Sequence, residues 1–124
     1  MEAWRADKTA STILVWFIPS HDRFETPIAD QEFWVTEALR VLGNTLGGAT
    51  AFPQGRGVWR DDDQGGRLLF DAPVIIQSYT TEQKLEEHVD RLRSFLVRLG
   101  EETRQGAVAF VIDRDLLEIK FPLK

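Results

Sequence analysis

Every position from Ile13 to Ile18 is apolar, the stretch is rich in β-branched and aromatic residues, and Pro19 closes it. An unbroken apolar run of this length predicts a central strand covered on both faces. A polar loop, residues 19–27, leads to helical spacing in Trp34, Ala38, Val41, Leu42 and Thr45. A helix is expected from about Ile28 or Asp30 to Leu46, capped by Asp30 or Thr26 and stopped by Gly47 and Gly48. Two further extended stretches, residues 49–60 and 68–79, flank the turn cluster 61–66 and read as a hairpin. Pro53, Gly48, Gly55 and Gly57 demote the first of these to an edge strand with a bulge. Leu85, Val89, Leu92, Leu96 and Leu99 form the core stripe of a long helix from Thr80 or Thr81 to about Thr103. Residues 107–112 read as a strand, 113–115 as a turn and 116–121 as a short returning strand.

The order β-α-β-β-α-β predicts an α+β, ferredoxin-like sandwich. Its four-stranded antiparallel sheet carries two helices on one face, and a C-terminal β extension follows. Residues 1–10 form an N-terminal arm, and residues 11–124 a single domain. The first and fourth strands lack a clean polar face: Ile13, Val15 and Phe17 alternate with Leu14, Trp16 and Ile18, and Val108, Phe110 and Ile112 with Ala107, Ala109 and Val111. A row of such side chains left in water is a liability for a monomer. A homo-oligomer joined through the sheet face is therefore expected; the alternative is a cover made by the arm with Trp4 or by the C-terminal hairpin.

Composition narrows the function classes. The 124 residues are 43% hydrophobic and 28% charged with net charge −5, which suits one folded domain. The acidic balance and scattered basic residues argue against duplex nucleic acid and anionic membranes as partners. With no cysteine, disulfides and thiolate sites are excluded, and a cytoplasmic location is expected. The first nine residues lack the apolar run of a signal peptide.

Candidate chemistry is sparse. The loops 19–27, 61–67 and 100–106 should meet at one end of the sheet. They would bring together His21, Asp22, Arg23, Glu25, Arg60, the Asp61–Asp63 run and Glu101. His21 beside Asp22 can serve as an oriented base, or Asp22 can simply make a turn bond to the backbone. The aspartate run lacks calcium-loop spacing and reads as a charged hairpin tip; His88, three residues after Leu85, reads as a residue on the flank of the second helix's apolar stripe, and no metal or cofactor is implied. Gly55-Arg56-Gly57 sits within a hairpin strand, where a dinucleotide fingerprint does not belong. Its glycines are expected to allow a bulge and close packing under Trp59. If Arg56 and Arg60 stay together near Trp16 or Trp59, they can hold an anion or a planar ligand. The stretch 68–74 lacks the basic-aromatic signature of an RNA-binding sheet.

Phe17-Ile18-Pro19, Gly47-Gly48-Ala49-Thr50, Gly57-Val58-Trp59 and Asp71 together resemble a family of small bacterial proteins of unknown function. The likeness runs from residue 11 to 121 and implies a ferredoxin-like fold but no activity. Many members carry Gln-Glu before the last strand, where this chain has Arg104-Gln105-Gly106-Ala107. The expectation is thus a small binding or assembly module, homo-oligomeric, recognising a protein partner or a small anionic ligand. His21, Arg56, Trp59, Arg60 and Tyr79 are its candidate ligand contacts. The rival is a small enzyme of the dimeric α+β barrel type, with a pocket between sheet and helices.

Overall fold

A computed structural model describes residues 2–124. Its main sheet has strands β1 (Thr12–Ile18), β2 (Thr50–Ala51), β5 (Val74–Thr80), β6 (Ala107–Ile112) and β7 (Asp115–Lys120), in the order β2-β5-β1-β6-β7. All neighbouring pairs are antiparallel. The class is α+β, as expected, but the sheet has five strands rather than four. The fifth strand is the C-terminal extension, the returning strand read at residues 116–121, and β7 pairs with β6 along its whole length.

Three helices complete the fold: α1 (Gln31–Leu46), α2 (Glu82–Glu87) and α3 (Val89–Glu102). Asp30 caps α1 by accepting from the Phe33 N–H, and Gly47 ends it in the left-handed region, φ 95°. The long helix expected after Thr80 is two. His88, at φ −114° and ψ 12°, is the joint, and its side chain caps neither piece. Leu92, Leu96 and Leu99 are buried as the stripe requires, with Phe95 beside them, whereas Val89 is exposed just past the joint.

Burial alternates strictly along β1: Thr12, Leu14, Trp16 and Ile18 are buried, and Ile13, Val15 and Phe17 partly exposed. The first set meets α1 and α3 in a core completed by Val35, Leu42, Ile76, Leu99 and Val108. Trp16 stacks on Phe95, with ring centroids 5.0 Å apart and planes 7° from parallel. Arg98 of α3 lies 5.0 Å from the Trp34 ring of α1 and pairs with Glu102 and Glu37, which ties the two helices at their surface.

The hairpin also differs from expectation. Neither stretch is one continuous strand. β2 is followed by an irregular segment, and β3 (Gly57–Asp61) pairs only with β4 (Arg67–Asp71) in a separate two-stranded ribbon, here called the arm. Ala72 and Pro73 separate β4 from β5. Pro73 has no N–H to give to a ladder, so a register break falls there. Gly55 and Gly57 lie against Pro73, not under Trp59, and neither has a positive φ.

Candidate functional site

The arm leans on the loop that follows β1. Ser20 and Asp71 form the joint: the Ser20 N–H donates to Asp71 Oδ1 at 2.8 Å, the Ser20 hydroxyl donates to the same oxygen at 2.6 Å, and the Ala72 N–H donates to Ser20 Oγ at 2.8 Å. His21 Nδ1 lies 2.7 Å from Ser20 Oγ. Further out, Arg67 pairs with Glu25 at 3.2 Å, and the Trp59 ring meets Phe17 edge-on with centroids 6.4 Å apart. Gln31 reinforces the corner by donating to both Ile18 O and Ala72 O at 3.0 Å.

These contacts use one face of the arm, the face that carries Trp59, Leu69 and Asp71. The other face carries Val58, Arg60, Leu68 and Phe70, since Val58 pairs with Phe70 and Arg60 with Leu68. Among the described residues nothing outside the arm buries it. Val58 is 51% exposed, Leu68 53% and Phe70 67%. The side of the sheet away from the helices has an apolar middle too, between Thr50, Gln77 and Tyr79 at one flank and Glu118 and Lys120 at the other. It presents Ile13, Val15, Phe17, Ile75, Ala109 and Val111, all partly exposed, with Leu116 more exposed at the β7 edge. The N-terminal arm does not shield it with Trp4, which is itself 81% exposed.

A second built feature sits beside the joint. Asp22 is buried; its Oδ1 accepts from the Phe24 N–H at 2.8 Å and the Thr26 N–H at 3.0 Å, and Oδ2 accepts from Arg104 at 2.8 Å. Gln105 adds a bond from Nε2 to His21 O at 2.9 Å. Glu25 and Arg104 are both held at positive φ, 65° and 54°. Burial by itself would raise the Asp22 pKa, but the Thr26 and Phe24 amides and the Arg104 guanidinium outweigh it and hold the carboxyl below its ordinary value. The unfolded chain therefore binds this proton more tightly than the folded one. The resulting stability is full above the ordinary carboxyl range, near pH 4, and is lost as pH falls through the depressed value. Unfolding midpoints at pH 7 and pH 3 should differ more for the wild type than for Asp22→Asn; equal differences would remove Asp22 from the acid response.

The expected site residues do not converge. His21 lies at the joint and Trp59 on the inner face of the arm. Arg60 points its charge at Asp62, 2.6 Å away, and Arg56 lies outside β3, exposed and in no ion pair among the described residues. The two arginines cannot meet at Trp16, which is buried in the core on the helix side. Tyr79 pairs with Ile13, four residues along β1 from Phe17 and so roughly 13 Å from the arm's end of the sheet. The loop after β1 does meet residues 100–106, as expected, and Arg67 brings the hairpin turn to Glu25. His21 is oriented by Ser20 and Asp71, however, and not by Asp22, whose carboxylate is spent on the loop backbone and Arg104. Ser20 carries no sequence signal of this role, because its partner is 51 residues away.

Among the described residues, no group of three or more His, Asp or Glu is placed to hold a metal ion, and no helix is long and apolar enough to cross a membrane. Two shallow, open depressions lie on the outside of α3, at Arg93–Glu102, and along the N-terminal arm, at Glu2–Lys8, and neither is lined by any of the five candidate residues.

The chain matches no family model and no curated protein sequence. Solved structures do resemble it. A phage SAM lyase in complex with S-methyl-5′-thioadenosine superimposes with a TM-score of 0.68 at 14% identity, over 93% of each chain. A phage SAM lyase in its apo state gives 0.64 at 17% identity, over 96% of this chain and 98% of the other. The divalent ion tolerance protein CutA1 from Ehrlichia chaffeensis gives 0.55 at 9% identity, over 87% and 84%. The likeness is one of fold.

Proposed function

We propose that this chain, a ferredoxin-like unit extended by β7 and by the arm, is the subunit of a homo-oligomer assembled through the outer sheet face and the bare face of the arm. A small ligand or a protein partner is then recognised at the seam between subunits. The observation that carries this reading is the row Val58, Leu68 and Phe70 on one face of the arm, each more than half exposed. An isolated two-stranded ribbon is marginal in water, and burying each large apolar side chain is worth about 1.5–3 kcal/mol. A second copy supplies both the missing cover and the missing walls of a site.

Light scattering after gel filtration at micromolar concentration should give a mass that is a multiple of the 14.2 kDa chain. Phe70→Asp should shift it toward the monomer while leaving the far-ultraviolet circular dichroism unchanged. A monomeric wild type, or an unaffected F70D, would sink the assembly.

A second reading is favoured by the superposition over 93% of both chains with an S-methyl-5′-thioadenosine complex. On it, the seam takes an adenosine thioether or sulfonium, and the chain is an enzyme. Thr50, Gln77 and Tyr79 supply polar groups along one side of the outer face, across its apolar middle from Glu118 and Lys120, and Arg56, in no ion pair among the described residues, can meet an anionic group. Titration with S-methyl-5′-thioadenosine decides it: heat or chemical-shift changes lost in Tyr79→Phe support it, and their absence in the wild type removes it in favour of the binding module.

A further inference from the structure

The joint at Ser20 fixes where one proton must be. Ser20 Oγ has three neighbours in hydrogen-bond range: the Ala72 N–H, Asp71 Oδ1 and His21 Nδ1. An amide can only donate and a carboxylate can only accept, so the single hydroxyl proton lies on the 2.6 Å line to Asp71. The oxygen then has lone pairs left for two donors. The Ala72 N–H takes one. The 2.7 Å contact to His21 is favourable only if Nδ1 carries a hydrogen and donates it. If the serine proton pointed at Nδ1 instead, two acceptor oxygens, Ser20 Oγ and Asp71 Oδ1, would face each other at 2.6 Å with nothing between them.

We propose that His21 is held as the Nδ1–H tautomer by an Asp71–Ser20 relay, so that Nε2 presents a fixed lone pair and acts as a proton-accepting site at the lip between the β1–α1 loop and the arm. Orientation of one ring nitrogen by a bond at the other is how imidazoles are prepared as bases and ligand contacts. The usual arrangement has the carboxylate on Nδ1 directly; here a serine hydroxyl stands between them. That serine is not a nucleophile: its proton is given to Asp71 and its lone pairs are occupied. The ring's backbone is fixed as well, by the His21–Pro27 bridge and by the bond from Gln105 to His21 O. No hydrogen bond satisfies Nε2 among the described residues, and His21 is only partly buried. With a carboxylate behind the ring, the ligand class is a hydrogen-bond donor, such as an amine, an amide or a hydroxyl, rather than an anion. This inference goes beyond the assembly and holds for a monomer or an oligomer.

Nitrogen-15 spectra of histidine-labelled protein, recorded above the range where imidazoles protonate, read the tautomer directly, with His88 as an internal reference. The expected pattern is a protonated Nδ1 and a bare Nε2 for His21, the reverse of the tautomer an unconstrained side chain favours. In Ser20→Ala the preference should disappear while His88 is unchanged. Diethyl pyrocarbonate should add its ethoxycarbonyl group to Nε2 of His21, located by peptide mass spectrometry. A proton on Nε2 in the wild type, an unaltered tautomer in S20A, or a His21 that stays unmodified while His88 reacts would each overturn the proposal. If S20A does not fold, the wild-type spectrum and the modification site decide it alone. A failure to bind S-methyl-5′-thioadenosine would leave these results untouched.

Discussion

Trp16→Ala is expected to lower the unfolding free energy by about 3–5 kcal/mol, the range for removing a large aromatic from a packed core. Trp16 is 1% exposed, and its ring lies flat on Phe95, which in turn meets Trp34 edge-on at 6.1 Å. Removing the indole therefore empties the β1 end of a three-ring cluster that is centred on Phe95 and joins β1 to both long helices. Trp16→Phe should cost far less, under about 1.5 kcal/mol. The smaller ring can keep the stack on Phe95, and it deletes the indole Nε1, a buried donor with no partner among the described residues. Leaving such a group unpaired costs about 1–3 kcal/mol, so its loss offsets part of the lost volume. Urea denaturation at one fixed protein concentration checks both variants. Equal losses for alanine and phenylalanine would show that the stack is not what Trp16 contributes.

Gly100→Ala should destabilise by about 1–3 kcal/mol, although alanine is the better helix former by about 1 kcal/mol. Gly100 is buried in α3, and a Cβ built there overlaps the Phe121 ring. The ring must be displaced from its place against the core, which strains the segment after β7 that the bond from the Phe121 N–H to Gly106 O holds in place. The pair gives a sign test. In a Phe121→Ala background the obstruction is gone, and Gly100→Ala should become neutral or stabilising. If it destabilises equally in both backgrounds, the two positions are not coupled, and the C-terminal segment is not seated on the helix as described.

Local pattern carried far in this chain where the cause is local. Asp30, the helix ending at Gly47, the apolar β1 and the Leu92–Leu96–Leu99 stripe follow from spacing and capping, and the structure has them. The breaks are harder to read. The hairpin leaves the sheet because Pro73 cannot continue a ladder and Ser20 captures Asp71, and only the first of these is visible in the letters. The helix joint at His88 lies in a stretch with no proline or glycine to mark it. The candidate site shows the same division. His21 stands out by type, but the carboxylate that orders its Ser20 partner comes from 51 residues beyond that serine, and Asp22, its other neighbour in sequence, is engaged by the loop amides and Arg104. Tyr79 and Arg56 were grouped with it by residue type, whereas strand register sets Tyr79 at the far end of the sheet.

The Ser20–Asp71 joint also has a bearing on how this surface can change over generations. The arm's outer apolar side chains are more than half exposed, while its attachment is centred on a hydroxyl, a carboxylate and two backbone amides. Substitutions at Val58, Leu68 or Phe70 can therefore accumulate without disturbing the folded body, and related chains can keep one architecture while exchanging companions. The hinge point is under the opposite pressure: a change at Ser20 removes the hydrogen bonds that fix Asp71 and Ala72, where the ribbon meets the body.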